Sequence, residues 1–126
     1  MRFPLLLLAP CVVPWGSMNR FVANVKLVWF VPLAALDETR EAVFAAGGGR
    51  IGSYERCSWY TAGTGTFFGG EGTSPAVGES GREESVPELR VETVVPEESL
   101  TEAVDALRAA HPYEEPAFDV YPLRDA

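Results

Sequence analysis

Val31-Pro32-Leu33-Ala34-Ala35-Leu36-Asp37-Glu38-Thr39-Arg40-Glu41-Ala42-Val43-Phe44-Ala45-Ala46 aligns without a gap on Val95-Pro96-Glu97-Glu98-Ser99-Leu100-Thr101-Glu102-Ala103-Val104-Asp105-Ala106-Leu107-Arg108-Ala109-Ala110, 64 residues further on, with seven of sixteen columns identical. A β-rich run precedes each copy, Val25 to Val31 and Leu89 to Val95. Pro32 and Pro96 end those strands because proline cannot donate to a ladder. Leu36, Val43 and Ala46 in the first copy, and Leu100, Val104 and Leu107 in the second, recur at helical spacing. The unit strand, Val-Pro, amphipathic helix is therefore used twice. Duplication of such a unit predicts an α+β domain of the ferredoxin-like kind, a βαβ–βαβ sandwich with both helices on one face of an antiparallel sheet.

Outward from the repeat, Gly47-Gly48-Gly49 stops the first helix, and Pro112 stops the second just past His111. Ser99-Leu100-Thr101-Glu102 fits a capping box. Between the two units, Ser53 to Thr61 and Thr64 to Phe68 read as strands joined by a turn at Ala62-Gly63, which adds a central hairpin strand. Residues 69–86 are rich in Gly, Ser, Glu and Pro and read as a flexible loop, with a lid or an intersubunit arm as the alternative. Ala117 to Leu123 is the last strand. The expected order is β-α-β-β-β-α-β. Strands apolar on both sides leave the second sheet face in need of cover, which a partner subunit would supply.

A chain of 126 residues is long enough for one cored domain. Its net charge of −8 leaves no basic face for phosphates, so nucleic acid is not an expected partner. Of ten basic residues only Lys26 is lysine. Cys11 and Cys57 form no Cys-x-x-Cys, as in a cytoplasmic chain with free thiols. Residues 1–17 carry one charge and then an apolar run, like a signal peptide, but Pro4, Pro10 and Pro14 interrupt it and no Ala-x-Ala follows. The run is too short to span a bilayer. The simpler expectation is a disordered tail or a start at Met18, with residues 18–126 as the domain.

Two clusters could carry chemistry. His111-Pro112-Tyr113-Glu114-Glu115-Pro116 holds the single histidine, a phenol and two carboxylates between prolines. An imidazole and a carboxylate this close serve as metal ligands or as an acid–base pair. Equally, a histidine at a helix C-terminus needs no function beyond its favourable site on the helix dipole. Cys57-Ser58-Trp59-Tyr60-Thr61-Ala62-Gly63-Thr64-Gly65-Thr66-Phe67 places a thiol on the strand face shared with Trp59 and Thr61. As a nucleophile Cys57 would need His111 beside it; otherwise it is a structural thiol. Gly-Thr-Gly-Thr lacks the Gly-Lys-Ser/Thr of a phosphate loop, and serves a tight turn or the close approach of a ligand.

The strings Gly49-Arg50-Ile51-Gly52-Ser53-Tyr54, Thr61-Ala62-Gly63-Thr64-Gly65-Thr66-Phe67, Glu71-Gly72-Thr73-Ser74-Pro75-Ala76-Val77-Gly78 and His111-Pro112-Tyr113-Glu114-Glu115-Pro116-Ala117-Phe118-Asp119-Val120-Tyr121-Pro122-Leu123 occur in order. Together they resemble the domain inserted in Nif-three-like (YqfO-type) proteins. The resemblance implies a PII/CutA-like fold, a homotrimer, and the inserted domain occurring by itself. Full-length relatives carry a two-metal centre and a GTP cyclohydrolase type-two-like label. With one histidine the ligand set for that centre is absent, so catalysis is not expected.

The leading expectation is a cytoplasmic homotrimeric binding or regulatory module. Its ligand would lie in an intersubunit cleft lined by His111, Tyr113, Glu114 and Glu115, with Tyr60, Thr64 and Thr66. No cofactor is expected, with a divalent metal on His111 and Glu114, joined by Cys57, as the alternative. A third expectation is an assembly domain that docks on a partner enzyme; no membrane is involved.

Overall fold

The computed structural model describes residues 23–125. The readings of residues 1–17, of Met18 as the start and of Cys11 fall outside them. Four strands and two helices follow in the order β1 (Asn24–Val31), α1 (Leu36–Ala45), β2 (Trp59–Phe68), β3 (Glu83–Pro96), α2 (Leu100–Ala110) and β4 (Phe118–Pro122). Single 3-10 turns, Leu33–Ala35 and Glu97–Ser99, lead into the helices. The sheet order is β2-β3-β1-β4, every pair antiparallel. This is the ferredoxin-like arrangement that the repeat predicts.

One face of the sheet carries Val25, Leu27, Trp29 and Val31 of β1 with Val91 and Val95 of β3, packed under Leu36, Val43, Ala103 and Leu107 of the helices. Inside this core the Trp29 indole N–H donates to Thr39 Oγ1 at 3.0 Å, and that hydroxyl is within reach of the Ala35 and Leu36 carbonyls. The duplicated helices therefore bury apolar stripes against the two central strands, the arrangement their 3.6-residue spacing requires.

Helix α1 starts with Asp37 and Glu38 in its first turn, favourable at the positive end of the helix dipole. It ends in a Schellman motif: Gly48 N donates to Val43 O and Gly47 N to Phe44 O, both at 3.0 Å. Gly47 takes φ +113°, which any other residue would reach only under strain. Helix α2 has Ser99 at its N-cap, but no side-chain capping bond forms, so the expected capping box is not made. Its C-cap, His111, is extended at φ −84° and ψ 137°. The ring of Pro112 excludes the helical conformation for the residue before it.

Two boundaries differ from expectation. Ser53 to Thr61 and Thr64 to Phe68 are not separate strands, and Ala62-Gly63 is not a turn. Residues 59–68 form one strand paired throughout to β3, from Trp59↔Glu92 to Phe68↔Glu83, so the extra central strand does not exist. The expected loop of 69–86 shortens to 69–82, because β3 begins at Glu83 and not at Leu89. Pro87 by its type argues against a strand there. It is tolerated because β3 at that point has only β2 beside it; pairing with β1 stops at Val31↔Leu89. The distal halves of β2 and β3 thus project beyond the sheet as a two-stranded arm.

The second sheet face is less apolar than expected. Register places Lys26, Val28 and Phe30 of β1 opposite Val94, Glu92 and Arg90 of β3, and Lys26 and Val28 opposite Tyr121 and Asp119 of β4. Lys26 Nζ and Arg90 Nε both donate to the Glu92 carboxylate, at 3.1 and 3.0 Å. Among the described residues, no helix is long and apolar enough to cross a membrane.

Candidate functional site

Where the arm leaves the sheet, a cleft of about 380 Å³ opens between the arm, the end of β1 and the turn that follows α2. That volume lies within the usual range for small-molecule sites. Thr66, Tyr113, Glu114 and Glu115, four of the seven residues singled out in the sequence, line it. Phe30, Phe67 and Phe68 supply aromatic walls, and Pro75 and Val77 of the 69–82 loop close one side. The loop bends onto the post-helix turn, where Ser74 N donates to Glu114 Oε1 at 3.1 Å. It is tied to itself by Gly81 N to Gly69 O at 2.8 Å and Thr73 Oγ1 to Gly70 O at 2.7 Å. The loop is thereby laid over one side of the cleft.

His111 sits behind the cleft wall and does not line it. The residue is 7% exposed. Its Nδ1 lies 3.1 Å from the Tyr113 backbone N–H, which can only donate, so Nδ1 is the acceptor. Nε2 lies 2.7 Å from the Phe30 carbonyl, which can only accept, so Nε2 carries the proton. Both ring nitrogens are thereby committed to backbone. Burial holds the imidazole pKa below its ordinary value, opposed by the bond to Phe30. The Phe30 carbonyl needs this donor because β1–β4 pairing ends one residue earlier, at Trp29↔Phe118. His111 thus fixes the turn that presents Tyr113, Glu114 and Glu115.

The remaining candidates scatter. Thr64 lies in a neighbouring groove with Phe30, Thr61, Glu88 and Arg90. Tyr60 is elsewhere, within 5.7 Å of the Arg40 guanidinium, which also lies over Phe44 and donates to Ser58 Oγ at 3.1 Å. Cys57 is tethered at the opposite end of the sheet: its N–H donates to Gly49 O, Gly49 N to Val94 O, and its carbonyl accepts from Thr93 Oγ1. His111 meets β1 at Phe30, so neither a Cys57–His111 nucleophile pair nor a joint metal site forms. Among the described residues, no group of three or more His, Cys, Asp or Glu side chains gathers as a metal cage would require.

Glu88 is the residue that sequence reasoning passes over. It lines both the cleft and the neighbouring groove. Desolvation raises its carboxyl pKa, and burial with the nearby Glu88 charge raises that of the Tyr113 phenol. A Cβ built on Gly65 would stand 2.0 Å from Glu88 Oε1. The glycine therefore makes room for the carboxyl within a strand, where its presence suggests a turn. Alternation of Glu88, Arg90 and Glu92 on one strand face is the available signal, hidden when β3 is started at Leu89.

No family profile matches the chain. A curated Mycobacterium tuberculosis protein named GTP cyclohydrolase 1 type 2 homolog is 52% identical over 98 residues, 78% of this chain and 26% of that protein. A solved Bacillus cereus protein related to NIF3 is 42% identical with a TM-score of 0.72, over 82% of this chain and 26% of the other. Over this segment the chain is similar to Nif-three-like proteins. It spans about a quarter of the length of the curated relatives it matches. The likeness of fold extends further. CutA of Archaeoglobus fulgidus superposes with a TM-score of 0.60 at 14% identity, covering 82% of this chain and 86% of that one. A Bacillus subtilis GlnK, solved as an ATP complex, gives 0.52 at 10% identity, over 81% and 84%. These last two share the PII/CutA-like fold and no more.

Proposed function

We propose that this Nif-three-like domain is a non-catalytic binding or regulatory module that takes a small molecule in the cleft beneath the arm. The observation that carries the reading is convergence. Thr66 of the arm and Tyr113, Glu114 and Glu115 of the post-helix turn, distant in sequence, line one chamber of about 380 Å³. Among the described residues no nucleophile, base and orienting group stand together there, which a hydrolytic reading would need. The cyclohydrolase name belongs to relatives about three times as long, so it is not carried to this chain.

The domain works as a homotrimer in this reading. Strand β2 has β3 on one side only, and its sequence WYTAGTGTFF holds no charge or proline to discourage pairing. Trp59, Tyr60 and Phe68 stand 59, 47 and 63% exposed along it. An unprotected ten-residue edge is a template for a strand of another copy. Metal binding through His111 and Glu114 is the weaker reading, since both imidazole nitrogens already serve the backbone. Thermal-shift screening of nucleotides, amines and divalent metals, with light scattering for mass, tests all of this. A ligand-induced shift lost in Thr66→Ala and Tyr113→Ala supports the cleft. A monomer at micromolar concentration ends the trimer, and zinc or copper retained through dialysis only when His111 is present restores the metal reading.

A further inference from the structure

The walls of the cleft and the charge inside it specify a class of ligand. We propose that the cleft binds an organic cation, a protonated amine or guanidinium carried on an apolar body, with Glu88 as its counter-ion. This rests on the reading of the cleft as a ligand site and deepens it.

The walls are aromatic, from Phe30, Phe67, Phe68 and Tyr113, and among the described residues no lysine or arginine lines the cleft. Ring faces attract cations and offer nothing to phosphate or carboxylate. Glu88 is half-buried in this setting, and among the described residues its side chain makes no hydrogen bond or ion pair. Its nearest cationic neighbour along the strand face, Arg90, is occupied by Glu92 and lies over the Phe30 ring. An unpaired carboxylate in an apolar chamber is stabilised by an incoming charged N–H donor far more than by a neutral one. Glu114 and Glu115, on the exposed rim, add attraction for a cation and repulsion for an anion. A nucleotide, the ligand of the GlnK complex that shares the fold, would bring its phosphates against three carboxylates. A bare divalent ion would find one inward carboxylate and otherwise hydrocarbon, too few oxygens for its shell.

The test is an amide NMR titration of the full chain with phenethylammonium, its neutral counterpart 2-phenylethanol, and ATP, followed at Gly65 and Gly69. The amine is expected to shift both amides saturably, with the alcohol bound at least about tenfold more weakly and ATP not at all. Glu88→Gln keeps the shape and removes the charge, and should weaken the amine about tenfold. Gly65→Ala keeps the charge but forces the carboxyl aside, and should weaken it as well. If the alcohol binds as well as the amine, or Glu88→Gln leaves amine binding unchanged, the cation is wrong and the cleft stands. ATP binding more tightly than the amine would overturn the cation in the same way. If no probe shifts either amide, the cleft itself is not a ligand site.

Discussion

Replacing His111 with Phe separates a structural imidazole from a ligand-binding one. The ring volume is nearly kept, so the change removes two hydrogen bonds without opening a large cavity. Two backbone groups lose their partners: the Phe30 carbonyl, at 2.7 Å from Nε2, and the Tyr113 N–H, at 3.1 Å from Nδ1. With His111 buried, water cannot readily replace either. A buried backbone group left unsatisfied costs roughly 1–3 kcal/mol, so the pair should cost about 2–6 kcal/mol. For a domain of this size that lowers Tm by on the order of 10–30 °C. The wild-type protein should also lose stability on mild acidification. The folded pKa of His111 lies below its ordinary value, so the unfolded chain binds the proton more readily. Stability from this group is full above about pH 6.5 and falls as pH drops below that toward the folded pKa. His111→Phe should flatten that slope. Urea unfolding between pH 5 and 7.5 and imidazole nitrogen shifts make the assay. A Tm within about 3 °C of wild type, a proton on Nδ1, or zinc that shifts the imidazole resonances would refute the structural assignment.

Four further outcomes are expected. Thr39→Val should destabilise by about 1–3 kcal/mol in urea unfolding, because the buried Trp29 indole N–H loses its acceptor without a large change in volume. Gly47→Ala should cost on the order of 1 kcal/mol or more, since φ is +113° and a Cβ would press within 3.1 Å of Ser99 Oγ; a melt by circular dichroism measures it. Glu88→Gln should raise Tm at neutral pH. The folded pKa of Glu88 is raised, so its ionised form opposes folding, most fully above that pKa, and the gain should vanish in acid. Ala62→Lys places a charge on the exposed β2 edge and should shift light-scattering mass toward the monomer while leaving the fold intact.

The scaffold is legible because it is duplicated. Two copies of the same strand, Val-Pro and helix pattern agree in period and punctuation, and the observed helices start within a few residues of each proline. The middle of the chain departs from expectation for one reason: glycine and proline look like punctuation there and are not. Gly63 and Gly65 lie inside a strand, the latter where the Glu88 carboxyl crosses the backbone, and Pro87 sits in a strand with one side unpaired. Each is a residue whose local preference is overruled by a neighbour distant in sequence. The candidate site is half legible. Polar residues in the post-helix motif and on the arm do line the cleft, but Phe30 and Glu88 come only with the fold, and Tyr60 and Cys57 belong elsewhere.

By itself the sequence determined the order of the two βα units, the stops at Gly47 and Pro112, and a net charge of −8. These follow from local rules: period, ring closure at proline, left-handed backbone at glycine. The tertiary structure decided which side chains share a chamber and what each can still do there. The imidazole of His111 is a clear case. Its position after the helix was written in the chain, but its tautomer, and with it the loss of a free lone pair, was set by one carbonyl 81 residues away. A lone pair is spent or left free by geometry, which spacing along a chain does not encode.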